Sequence, residues 1–381
     1  MTEIRRPTDQ PERLTGRDSP EHEGSLSAGT VRNSLAGARR AAAPYVTMTR
    51  IVFARLSNSR VARLGAVILA SVALIATFAD FLASELPIAC RSHGVLRVLP
   101  NLLHPAALTS SDCAQLRLAH NPGDWVIEPL VAYGPTQPGS PGEALLPPLT
   151  RGHPFGSDAL GRDVFARVVH GARTVLVLGL AGSAVLVALG TALGSLAGFF
   201  GGVVDGLVAR AIESLAAIPT LLLVLVVEAI VLNPTTATLL WTIALTRWTE
   251  LARLVRAEVL GALGQDYVAA ARALGASPAR VLWRHVLPNV IGPAIVAAAF
   301  GTASIVLVES AVDFLRAAPP DAVASWGETL GEARMHAGAW WLVVFPGLAL
   351  LFTLIALNLI GEASRSALDL YPSAPKPAKE R

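Results

Sequence analysis

The densest run of side chains able to do chemistry lies between His153 and Arg167, where His153, Ser157, Asp158, Arg162, Asp163 and Arg167 crowd together. Carboxylates beside arginines can serve as a general acid and base when their surroundings push their pKa values apart. A plainer chemistry accounts for this run. Ser157 or Asp158 can cap the helix that follows, and Asp163 with Arg167 has the i,i+4 spacing of an ion pair. Two further carboxylates, Glu228 and Glu309, stand inside long apolar runs. A charge there must face the protein interior, a water-filled path or a partner, which makes both candidate pathway residues. Cys90 and Cys113 are the only cysteines. They can bridge on an oxidising side of a membrane, or stand as two free thiols. Lys376 and Lys379 are the only lysines, so no lysine follows a glycine-rich loop as phosphate binding by a Walker A motif requires. HExxH and GxSxG are both missing. No cofactor, metal site or catalytic residue is expected in this chain.

The elements around these residues read as membrane spans. Of 381 residues, 52% are hydrophobic and 15% charged, and the mean hydropathy is +0.51, which is too apolar for an ordinary soluble domain. The net charge of +3, with 29 of 31 basic residues Arg, gives no reason to expect nucleic acid. Residues 1–56 are polar, rich in Arg, Ser and Pro, and predict a disordered tail. Residues 57–84 carry the first span. Residues 85–173 form a proline-rich outer loop that ends in an amphipathic helix, with Leu160, Val164, Val168 and Ala172 as its apolar stripe along the membrane interface. Residues 174–372 hold five more spans, near 175–199, 214–232, 235–254, 290–312 and 341–360, and residues 373–381 form a tail. Gly190, Gly194 and Gly198 give the second span a small-residue face for close packing. Eleven Arg from Arg5 to Arg63 hold the N-terminus inside, and six from Arg247 to Arg284 hold the 266–288 connection inside. Both termini are then cytoplasmic.

That inner connection is DYVAAARALGASPARVLWRHVLP. Asp266 to Leu274 favours helix, Gly275 falls where a helix end takes a left-handed residue, and Ser277 with Pro278 fits an N-cap followed by the first helical position. A second short helix should stop at Pro288. The stretch resembles the coupling loop of bacterial ABC-importer permeases, EAA-x3-G-x9-I-x-L-P, with Ala270, Ala271, Gly275, Leu287 and Pro288 in register. Ala269 replaces the Glu of that motif and His285 its Ile. His153 to Asp163 resembles the HPxGTDxxGRD signature of the dipeptide, oligopeptide and nickel branch. Ser325-Trp326-Gly327 and the stretch from Gly361 to Asp369 resemble two later motifs of the same branch.

The resemblance implies an all-α membrane protein of six transmembrane helices, the type I importer permease fold, in the bacterial inner membrane. It implies a transmembrane subunit that moves di- or oligopeptides, or a related small solute such as nickel. It implies as partners a second homologous permease, two cytoplasmic ATPases holding ATP and Mg, an extracytoplasmic substrate-binding protein, and lipid. Ala270, Ala271, Gly275, Ser277, Pro278, Leu287 and Pro288 would form the surface that couples to the ATPases. The competing reading is an ion-coupled secondary transporter working through Glu228 and Glu309.

Overall fold

In the computed structural model, residues 59–92, 95–103, 125–232, 234–316 and 323–369 are described. The expected tails at 1–56 and 373–381, Cys113 and Asn233 lie outside them. Helix α1 (Arg60–Thr77) starts on the Ser59 side chain, which accepts from the Ala62 N–H, and gives way at Phe78 to the single turn α2 (Ala79–Leu82). The expected loop beyond it holds local order. Strands β1 (Ala89–Ser92), β2 (Val95–Val98) and β3 (Trp125–Ile127) form an antiparallel sheet of order β2-β1-β3, with Cys90 opposite Arg97 and Val126. The one-turn helix α3 (Pro100–Leu103) follows β2. Cys90 is buried and free, with its thiol pKa raised by burial against a lowering pull from Arg97.

Helix α4 (Val164–Phe200) is one rod of 37 residues, so the separate interfacial helix expected before the second span does not exist. Leu160 lies ahead of the rod and is exposed. The cap is Asp163, not Ser157 or Asp158: its Oδ1 accepts from the Ala166 N–H at 2.7 Å. The rod ends at Gly201. Next come α5 (Gly202–Ala216) and α6 (Thr220–Ile230), bent 80° apart around Pro219. The single third span expected at 214–232 is thus a broken one, because Pro219 has no N–H to continue the ladder. Helix α7 (Thr236–Leu263) opens with a capping box between Thr235 and Thr238.

Beyond α7 come α8 (Asp266–Ala273), α9 (Pro278–Val281), a π turn over Leu282–Val286, and α10 (Leu287–Leu315). Pro288 does not stop this helix. Through the π turn the Leu287 N–H reaches back five residues to the Leu282 carbonyl, and Pro288 falls at the start of the next segment, where its missing N–H is tolerated. The short helix α11 (Trp326–Glu332) and the long α12 (Trp341–Asp369) complete the described chain.

Among the described residues four helical stretches are long and apolar enough to cross a membrane: Arg60–Thr77, Val164–Phe200, Pro278–Leu315 and Trp341–Leu368. The bent α5–α6 pair makes up to five. Helix α7, expected as the fourth span, is not among them, since Arg247, Glu250, Arg253, Arg256 and Glu258 lie along it. It is nevertheless central to the core, burying Leu239, Ile243, Leu251, Val255 and Val259. Glycines explain its closeness to α4. A Cβ on Gly190 would stand 2.8 Å from Leu251, one on Gly194 2.5 Å from the Ala252 carbonyl, and one on Gly198 2.9 Å from the Arg256 carbonyl. Gly194→Ala should therefore lower the unfolding midpoint of the detergent-purified protein, by about 1–3 kcal/mol of lost stability. Gly206→Ala, with nothing within 4 Å, should not. Equal midpoints for the two variants would show that the seam is loose.

Candidate functional site

The hairpin at 266–288 is built by local chemistry and then fixed by packing. At the end of α8 the Ala276 N–H bonds to the Ala271 carbonyl and the Gly275 N–H to that of Arg272, the paired bonds of a Schellman closure. Gly275 carries φ +78 there, in open space. The chain turns, and the Ser277 hydroxyl accepts from the Arg280 N–H with Pro278 at the first helical position. Val268, Ala271, Val281, Leu282 and Val286 are buried in the same cluster as Val255 and Val259 of α7. A hydrogen bond from Asn289 Nδ2 to the Tyr267 hydroxyl, 3.0 Å, ties α8 to the start of α10.

What remains outside is a tip. Ala270, Gly275, Ser277 and Pro278 are exposed, Ala271 is buried behind them, and Leu287 and Pro288 are half-buried at the base. Two large apolar side chains stand out from it, Leu274 at 88% and Trp283 at 70% exposure, among the exposed Arg272, Arg280 and Arg284. In the sequence Leu274 and Trp283 look like core, as apolar residues at helical spacing do. Only their placement at the turn shows otherwise. The hairpin is a rigid knob with a mixed apolar and basic end, suited to seating in another protein's groove.

At the sheet end of α4, the residues from His153 to Arg167 fold into a buried ion cluster. Arg162 Nε meets Asp158 Oδ2 at 2.6 Å, and its Nη2 meets Glu332 Oε1 at 2.6 Å and Glu328 Oε1 at 3.2 Å. Arg167 Nη2 meets Glu328 Oε2 at 2.8 Å, and its Nε donates to the Thr329 hydroxyl. Asp163 does not pair with Arg167. It takes His153 Nδ1 at 2.8 Å instead. Arg162 and Arg167 are almost wholly inaccessible, so the expected surface ion pair is an interior clamp holding α11 against the head of α4. Asp158, Asp163 and Glu328 are themselves buried, each engaged by an arginine or a histidine. Trp326 closes the same joint, its Nε1 donating to the Val168 carbonyl at 2.8 Å.

The intramembrane carboxylates are also engaged. Glu228 Oε2 meets Arg316 Nη1 at 2.8 Å, and Arg316 Nε meets Asp313 at 3.0 Å. Glu309 is buried and accepts from the Ser310 hydroxyl at 3.0 Å and the Ser325 hydroxyl at 3.4 Å. The structure thus gathers Glu228 and Glu309 near the joint of α6, α10 and α11, far along the chain from the hairpin tip.

Burial raises the Glu332 pKa, helped by Asp158 and Glu328 and opposed by Arg167 and Arg162. Burial likewise raises that of Asp163 against the Ala166 N–H and His153. A carboxyl whose folded pKa exceeds its unfolded value binds its proton more tightly when folded. Stability from it is therefore full below the unfolded value, about 4.3 for Glu, and is lost as pH rises through the folded one. The thermal midpoint of the purified protein should fall as pH rises above the unfolded value, and Glu332→Gln should make that slope shallower. An unchanged slope in the variant would place the pH dependence elsewhere.

With this geometry, relatives can be compared. Residues 190–370 match the family described as the inner membrane component of binding-protein-dependent transport systems. The dipeptide transport system permease protein DppC of Alkalihalophilus pseudofirmus is 35% identical over 218 residues, covering 57% of this chain and 71% of that one. The di/tripeptide permease protein DppC of Pseudomonas aeruginosa is 38% identical over 216 residues, covering 56% and 71%. The oligopeptide permease protein OppC of Bacillus subtilis is 34% identical over 224 residues, covering 58% and 73%. The match takes in α7, the hairpin and α10 whole, and gives no support to the ion-coupled reading. The chain belongs to the family of inner-membrane components of binding-protein-dependent transport systems, and is a multi-pass permease subunit of an ABC importer.

Proposed function

We propose that this chain is the permease subunit through which an ATP-driven importer moves di- or oligopeptides into the cell. The observation that carries the reading is the hairpin: a knob braced on the core, with an apolar tip and no phosphate-binding lysine anywhere in the chain. The relatives' names supply the peptide. ATP and Mg belong to two separate cytoplasmic ATPases, one of which seats the tip formed by Ala270, Leu274, Gly275, Ser277, Pro278 and Trp283. Ala271, Leu287 and Pro288 brace it from behind. A second homologous permease completes the path, and an extracytoplasmic binding protein delivers the solute.

In this arrangement the chain crosses the membrane six times with both ends inside. The four apolar stretches and the bent α5–α6 pair account for five crossings, and α7 makes the sixth with its charged side turned from lipid. ATP-driven closure of the ATPases pushes the knob, and the continuous stretch from Pro278 to Leu315 carries the push into the membrane. The hairpin end is then cytoplasmic and the sheet end outside, where the ion cluster keeps α11 fixed while the inner end moves.

Gly275→Val tests the coupling. With φ +78, a β-branched residue there is strained by about 1–2 kcal/mol, too little to unfold a bundle of this size. Membrane insertion should persist while uptake falls and less ATPase co-purifies. Unchanged uptake and ATPase recovery would make the hairpin a mere connector.

A further inference from the structure

Helix α7 poses a question that the coupling hairpin leaves open. It is 28 residues long, about 42 Å at 1.5 Å per residue, long enough to cross a bilayer, yet its composition does not suit one. Its buried side packs on α4 and α10. Toward its inner end its exposed side runs through Glu250, Arg253 and Ala257, and a lipid-facing helix does not carry Glu250 and Arg253 there. That side faces water or a partner.

Arg247 lies beside this stripe, near the middle of α7, about 17 Å along the helix from Thr236. Sequence reading put it at the inner end of the span, where a charge is cheap. At mid-helix it is not. Its side chain is 16% exposed. Nη2 donates to the Ser304 hydroxyl of α10, which pins the guanidinium from behind. Nη1 meets Glu250 Oε1 at 3.0 Å, and Nε is buried with no hydrogen-bond partner. Glu250 differs sharply from its partner: its side chain is 58% exposed, and no other partner holds its carboxylate among the contacts described. One half of the pair is pinned and mostly covered, and the other is exposed.

We propose that Arg247 is a solute-binding residue of the translocation path. Its guanidinium takes the C-terminal carboxylate of a passing peptide, and Glu250 is an exchangeable counter-ion occupying that place between substrates. The inference rests on the peptide reading above. When Glu250 leaves, Nη1 is the donor set free, able to make a charge-assisted hydrogen bond to a carboxylate, and every unmodified linear peptide carries one carboxylate at its end whatever its side chains. The site therefore recognises the feature common to all such peptides, and it can stay weak because the outgoing carboxylate is replaced by Glu250. A conduction site has to release what it binds.

The test uses the complete transporter in proteoliposomes, with both permeases, the ATPases and the binding protein. The probe is a defined library of di- to pentapeptides, each as free acid and as C-terminal amide, with accumulation read by mass spectrometry. The binding protein's own affinities for the two forms are measured separately and divided out. Arg247→Gln should lower the acid-to-amide uptake ratio about tenfold, as expected for losing a charge-assisted hydrogen bond, and Arg247→Lys should fall between it and wild type. Glu250→Gln should move the ratio the other way, by removing the competitor. A pair that only braces the helix, or that docks the second permease, would give two variants that lose uptake together with the ratio unmoved. That result overturns the proposal. If the unsubstituted transporter accumulates no library peptide at all while hydrolysing ATP, the peptide reading itself fails, and this site falls with it.

Discussion

The close approach of α4 and α7 is the constraint on which the rest of the molecule hangs. Helix α7 carries too many charges to be held by lipid, so it must be held by protein. Gly190, Gly194 and Gly198 bring the two backbones together until Leu251, Ala252 and Arg256 occupy the space where side chains would stand. In a bilayer, where apolar contact with lipid competes with apolar contact with protein, such packing is the main attraction available between helices. With α7 fixed this way, its remaining polar groups find partners: Arg256 reaches Asp205 of α5, and Arg247 reaches Ser304 of α10. The inner end of α7 also supplies the Val255 and Val259 surface against which the hairpin is braced.

Charge is handled differently at the two ends of the bundle. At the sheet end it is internal, with Asp158, Arg162, Arg167 and Glu328 turned on one another and almost shut away from solvent, and Glu332 half-buried beside them. Breaking one member of such a cluster strands the others, at about 3–5 kcal/mol, so this end is made to stay put. At the hairpin end Arg272, Arg280 and Arg284 are exposed, and what is buried is aliphatic. A transporter that changes shape needs one region that resists deformation and one that accepts force. The distribution of ion pairs matches that division.

The sequence discloses what depends on neighbours in the chain. The Gly275 turn, the Ser277 cap and the four-residue spacing of Gly190, Gly194 and Gly198 are local, and each appears in the structure as the residue types demand. Long-range partners are hidden. Nothing near Arg162 announces that Glu328 and Glu332 will close on it, so it reads as a surface residue beside Asp163. Helix α7 hides its partners too: its apolar periodicity suggests a span, and the contacts with α4, α5 and α10 that make its charges tolerable lie far off in the chain. Pro288 misleads because its usual effect is local and strong, yet a π turn just before it absorbs the missing donor.

That π turn has a mechanical meaning. Without it, a proline at 288 would have made a joint between hairpin and membrane helix, and a joint dissipates torque. With it, the chain from Pro278 to Leu315 runs on as helix for 38 residues, about 57 Å from end to end, with Pro293 inside α10. The inserted residue also turns everything beyond it by about 100° about the helix axis relative to plain α-helical register. The phase of the membrane segment is therefore set independently of the phase of the hairpin. The exposed Trp283 and the buried Glu309 can each occupy their own azimuth on one continuous helical stretch.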